Sequence, residues 1–196
     1  MTTDQRTAAT FIGAVALTGI AAAAWIIAHD RSLESLDFAL RNSGRIAFLV
    51  LIVVFAARPL QELLRRGWTA RLLRNRRQFG VAFAGIHSGH LGMILYKVDR
   101  VPEFTLAAIL NVPAALVYGL MYLMVITSFG APARAIGPKA WKVLHKLGVF
   151  VLFVAFLDSQ VPRSLDDLAP VNAILIGLAV LALAARVGAF VKRRQR

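Results

Sequence analysis

Residues 76–90 read Arg76-Arg77-Gln78-Phe79-Gly80-Val81-Ala82-Phe83-Ala84-Gly85-Ile86-His87-Ser88-Gly89-His90. Two arginines give way to an apolar run, and the run carries two histidines well inside it. Nothing in it alternates apolar and polar residues with the period of a strand, so the stretch is a helix. Lipid demands the same answer, because backbone groups there must pair within their own segment. A histidine inside such a helix is expensive, and by default it marks a functional site.

The rest of the chain follows the same pattern. Of its 196 residues, 58% are hydrophobic, above the roughly 45–50% of soluble domains. A membrane span needs about 20 mostly apolar residues. Six segments qualify, at approximately 10–28, 44–60, 79–96, 105–129, 143–157 and 169–190. The fifth is short unless its helix begins amphipathically near Trp141. Pro102 and Pro170 stand at span entrances, where a missing N–H costs little. Pro113 lies inside the fourth segment and predicts a bend there. The expected fold is an all-α bundle of six spans, forming a single domain over residues 1–196. No linker, internal repeat or Gly-rich phosphate loop suggests a second domain.

The net charge of +13 follows this layout rather than a nucleic-acid-binding surface. If the N-terminus is placed inside, the inner segments 1–9, 58–78, 130–146 and 186–196 carry 17 of the 23 basic residues and two of the ten acids. The outer segments carry the other six basic residues and eight acids. Such asymmetry predicts both termini on the cytoplasmic side. The chain begins with a span-length apolar run behind a weakly charged N-terminus, unlike a signal peptide. It contains no cysteine, which excludes disulfides, iron–sulfur clusters and covalently attached haem.

The four histidines then separate by position. His87 and His90 are three residues apart and share one helix face, roughly 140–200° round from Gly85. Gly85, Gly89 and Gly92 form another stripe, suited to close helix packing. His145 lies between Lys142 and Lys146 at the basic entrance of the fifth span. His29 ends the first span beside Asp30 and Arg31, where an ordinary interfacial role suffices. Histidines on two spans suit a bis-histidine haem b. A bare zinc or iron site from His87, His90 and His145 is the competing use, as is a proton relay. A single histidine bonded to a neighbouring carbonyl is the plainest. Membrane protease chemistry has no motif here: no His-Glu-x-x-His, no Gly-x-Ser-x-Gly and no intramembrane Asp pair.

Residues 76–83 leading to His87 and His90, together with Trp141-Lys142-Val143-Leu144-His145-Lys146-Leu147-Gly148, resemble the ferric reductase-like transmembrane domain superfamily. This includes the haem-binding membrane subunit of the bacterial methionine sulfoxide reductase system, and the membrane parts of NADPH oxidases and ferric reductases. The resemblance covers roughly spans two to six. It implies a bacterial cytoplasmic-membrane subunit that transfers electrons through haem b. The electrons would come from a quinol or a separate flavin reductase, and go to a metal ion, oxygen or a partner protein. The rival class is a non-redox membrane scaffold or transporter. Two-haem members of the superfamily carry a second span-five histidine 13 residues after the first, but here that position is Asp158. One haem is therefore expected rather than two, with His87 and His145 as axial ligands and His90 as the alternate. His145 sits near the basic interface, whereas His87 lies ten residues past Arg77, about 15 Å deeper, so the pairing requires the two helices to start at different depths.

Overall fold

The computed structural model describes residues 2–29, 31–103, 105, 112–161 and 170–195. These form six helices: α1 (Thr3–Ala28), α2 (Leu33–Leu64), α3 (Gly67–Arg100), α4 (Val112–Ile126), α5 (Gly130–Gln160) and α6 (Pro170–Arg194). No strand occurs among the described residues. Five of the helices are long and apolar enough to cross a membrane. α4 is described over 15 residues, about 22 Å, which is less than a hydrocarbon core of about 30 Å. Residues 106–111, the early part of the expected fourth span, lie outside the described residues, as does 169 at the start of the sixth. Pro113 consequently stands in the first turn of α4, and the bend expected there falls at the edge of what is described.

Local chemistry sets the ends. Thr2 and Gln5 form a reciprocal capping box on α1, with the Thr2 N–H 2.7 Å from Gln5 Oε1 and the Gln5 N–H 3.2 Å from Thr2 Oγ1. Ser32 caps α2 by accepting the Ser35 N–H at 3.1 Å. The turn from α2 to α3 passes through Arg65, left-handed at φ 51°. α5 is broken at Gly137 (φ 76°, ψ 163°), a conformation glycine adopts without penalty. Pro138 follows, and its fixed φ suits a helix start. The long segment of α5 therefore begins before Trp141, as the length argument required.

Both termini lie at one end of the bundle. Asp4 accepts hydrogen bonds from the Gly130 N–H at 3.1 Å and from Arg77 at 3.3 Å. At the same end of α2, Arg193 pairs with Glu62 at 2.7 Å. This is the arginine-rich end, which also holds the α2–α3 and α4–α5 connections.

The core is aromatic. Phe48, Phe55 and Phe153 are fully buried, and the Phe55 and Phe153 rings stack at 3.9 Å. The glycine stripe packs α3 on α1, as its spacing predicted. A Cβ on Gly85 would come within 2.7 Å of the Phe11 carbonyl oxygen, and one on Gly89 within 2.8 Å of Thr18. Gly92 faces open space, so only two of its three members do this work. Pro59 interrupts α2, which removes the hydrogen bond to the Phe55 carbonyl and opens the ladder there. One residue earlier, the Val54 carbonyl accepts Arg76 Nε at 3.0 Å. Arg186 lies 3.8 Å over the Phe55 ring, so two cations meet one turn of α2.

Candidate functional site

α3 turns His87 and His90 toward the bundle interior, on the side away from Gly85 and Gly89. His87 is buried in a box of rings. Its centroid lies 4.8 Å from Tyr118 with the planes 7° apart, 4.8 Å from Phe156 edge-on, 6.0 Å from Phe83 and 5.0 Å from His90. Its Nδ1 is buried without a hydrogen-bond partner. Leaving such a nitrogen unsatisfied costs about 1–3 kcal/mol.

His90 is held differently. Its Nδ1 lies 2.9 Å from Ser43 Oγ. Ser43 gives its own proton to the Leu40 carbonyl at 3.0 Å, so the hydroxyl oxygen accepts and His90 Nδ1 donates. The lone pair is then on Nε2. A ligand histidine is usually oriented by such a bond from its other nitrogen.

His145 belongs to another cluster. Its Nε2 lies 3.0 Å from Thr127 Oγ1, and Thr127 donates to the Leu123 carbonyl at 2.8 Å. By the same logic His145 Nε2 donates and Nδ1 keeps the lone pair. Trp141 stacks on the imidazole at 4.3 Å and bonds the Thr127 carbonyl through Nε1 at 2.8 Å. Arg77 donates to the carbonyl of neighbouring Ser128, while its Nε is buried without a partner.

The structure thus brings His87 and His90 together and leaves His145 apart. Phe156, which touches His87, is eleven residues beyond His145 on α5, about 16 Å along the axis. Tyr118 and Thr127 give a second measure on α4, nine residues or about 14 Å. Span five does start early, but this moves His145 no closer. Its level is that of Arg77. Asp158 is exposed near the far end of α5. His29 is exposed at the end of α1, stacked on Trp25 at 3.8 Å with Nδ1 2.9 Å from the Trp25 carbonyl oxygen, an ordinary interfacial role. Among the described residues, no three His, Cys, Asp or Glu side chains converge on a point that could hold a bare metal ion.

Sequence reasoning did not find Tyr118, Phe156, Ser43 or Thr127. A Tyr118/Tyr122 pair four residues apart was the one available hint. In the fold Ser88 donates to the Ala84 carbonyl at 2.8 Å and accepts from the Tyr122 hydroxyl at 3.0 Å.

The described helices thus form a membrane-spanning bundle with one buried imidazole, His87, and His90 beside it. The chain belongs to the ferric reductase-like transmembrane component family, whose model matches residues 43–156, more than half of it. The match opens at Ser43 and closes at Phe156 in α5, so it stops short of the sixth span included in the resemblance. No curated protein and no solved structure matches the chain.

Proposed function

We propose that this protein is a haem b-binding membrane subunit that relays electrons for a separate redox partner. It would sit in a bacterial cytoplasmic membrane with its arginine-rich end inside. The unpartnered Nδ1 of His87, buried among rings in the family-matched segment, carries this reading. A neutral imidazole in an apolar box suits a non-covalently held haem. When bound, haem supplies reversible one-electron chemistry at its iron.

The chain's own residues would divide the work. His87 would hold the haem through a ring nitrogen, with Tyr118 and Phe83 stacked near-parallel to its ring. His90 shares a face of α3 with His87 and would serve as alternate ligand or neighbour. His145 does not fit the same iron, because it stands about 14–16 Å away along the axis. It is a separate single-imidazole position, half-exposed and tethered to Thr127. We read the site as one haem at the His87 level. Between the two levels the rings of Phe156, Phe48, Phe153 and Phe55 follow one another at 6.0, 6.0 and 3.9 Å, a continuous aromatic file through the core.

In this reading the basic loops orient the subunit, and donor and acceptor are other molecules. A quinol or a flavin reductase would donate, and a metal ion, oxygen or a partner protein would accept. The decisive experiment is a visible spectrum of the purified chain before and after dithionite, with a pyridine haemochrome assay. A haem b spectrum near one equivalent supports the proposal. A colourless protein from haem-replete cells would favour a scaffold or transporter.

A further inference from the structure

We propose that the groove between α2, α3 and α6 is a binding site for one anionic phospholipid. Its acyl chain would lie along the groove wall, and its phosphate at Arg71 and Lys192. The groove encloses about 630 Å³. Leu49, Ile52 and Val53 of α2, Phe79 of α3, and Leu178 and Leu181 of α6 form its wall. That lining offers nothing to a hydrophilic solute and suits a hydrocarbon chain.

The arginine-rich end of the groove has different chemistry. Trp68, Arg71 and Asn75 close it. Trp68 is 55% exposed, as befits a ring at the level of lipid headgroups. Arg71 is exposed and makes no ion pair among the described residues. Lys192 stands seven residues beyond Ala185, which lines the groove. Seven residues are nearly two full turns, so both occupy one face of α6. Lys192 Nζ donates to the Glu62 and Leu63 carbonyl oxygens at 3.4 Å each and makes no ion pair among the described residues. The neighbouring carboxylate, Glu62, is taken by Arg58 at 2.9 Å and Arg193 at 2.7 Å.

An apolar trough that ends at Trp68 and Arg71, with Lys192 beyond it on the same face of α6, is complementary to a lipid with a negative headgroup. Basic pockets between spans bind such headgroups. Zwitterionic lipid would fill the same wall but gain less at the cationic end. The inference rests on the membrane reading alone and stands or falls independently of the haem.

The test uses the full chain in detergent with spin-labelled phosphatidylglycerol and phosphatidylcholine. The protein should hold phosphatidylglycerol several-fold better. Arg71→Gln with Lys192→Gln should remove the preference, whereas Arg74→Gln should leave it intact, because Arg74 is exposed outside the groove. Leu178→Trp should weaken both lipids with every charge in place. Equal retention of the two lipids by the unmodified chain overturns the proposal. So does an Arg74→Gln loss as large as the double variant's, which would mean diffuse surface charge. Displacement by inorganic phosphate alone would make the groove wall irrelevant and would also overturn it.

Discussion

The ring of Phe156 lies edge-on against His87, with centroids 4.8 Å apart. If His87 holds the proposed haem, the fifth helix presents hydrocarbon rather than a donor beside it. Phe156→His puts an imidazole there with little change in volume. The variant should turn a haem with one strong axial nitrogen into a six-coordinate low-spin one, read from the Soret band and low-temperature EPR. An unchanged spectrum would mean that His87 does not hold the iron on the side facing α5.

The three interior histidines should separate by function. His87→Ala is expected to lose most of the haem. His90→Ala should keep it with a shifted potential, since Ser43 orients a neighbour rather than the ligand. His145→Ala should leave haem content near the parent value, because its imidazole stands at another level. Pyridine haemochrome titration reads all three. Full haem in His87→Ala together with loss in His145→Ala would move the site to the arginine-rich end.

The α1–α3 contact should tolerate no added side chain. Gly85→Val places a Cβ within 2.7 Å of a backbone oxygen, and overpacking of this kind costs about 1–3 kcal/mol. Gly92→Ala meets open space, so it should be neutral or gain up to about 1 kcal/mol from helix propensity. Thermal unfolding in detergent should rank them in that order.

Topology follows from loop charge. A reporter at the C-terminus or in the 64–67 turn should be active only in the cytoplasm. Periplasmic activity at either place would invert the bundle and move the lipid groove to the outer leaflet.

Much of this was legible in advance, for physical reasons. The helix class and five of the six expected spans come from runs of apolar residues, which lipid imposes directly. The two faces of α3 come from the 100° step of the helix, and the fold honours it: Gly85 and Gly89 meet α1, while His87 turns inward. Relative depth was less accessible. The distance from Arg77 to His87 is written in one helix, but the level of His145 depends on how α5 sits against α4, through Thr127 and Trp141. Contacts between distant segments, such as His90 with Ser43, leave no periodic trace. Phe156 looked like any other apolar residue of its span until α5 was placed.

Pro59 costs α2 one rung of its ladder at Phe55, and Arg76 bonds the carbonyl of neighbouring Val54. With Arg186 on the adjacent Phe55, fixed positive charge is lodged beside the aromatic file, without a carboxylate partner among the described residues. In surroundings of low dielectric such a field reaches further than in water. In the proposed electron-transfer role, such a field would favour the reduced form of any redox group held nearby. Two guanidinium groups lodged on one turn of α2 thereby set a slope in electrical potential along the protein.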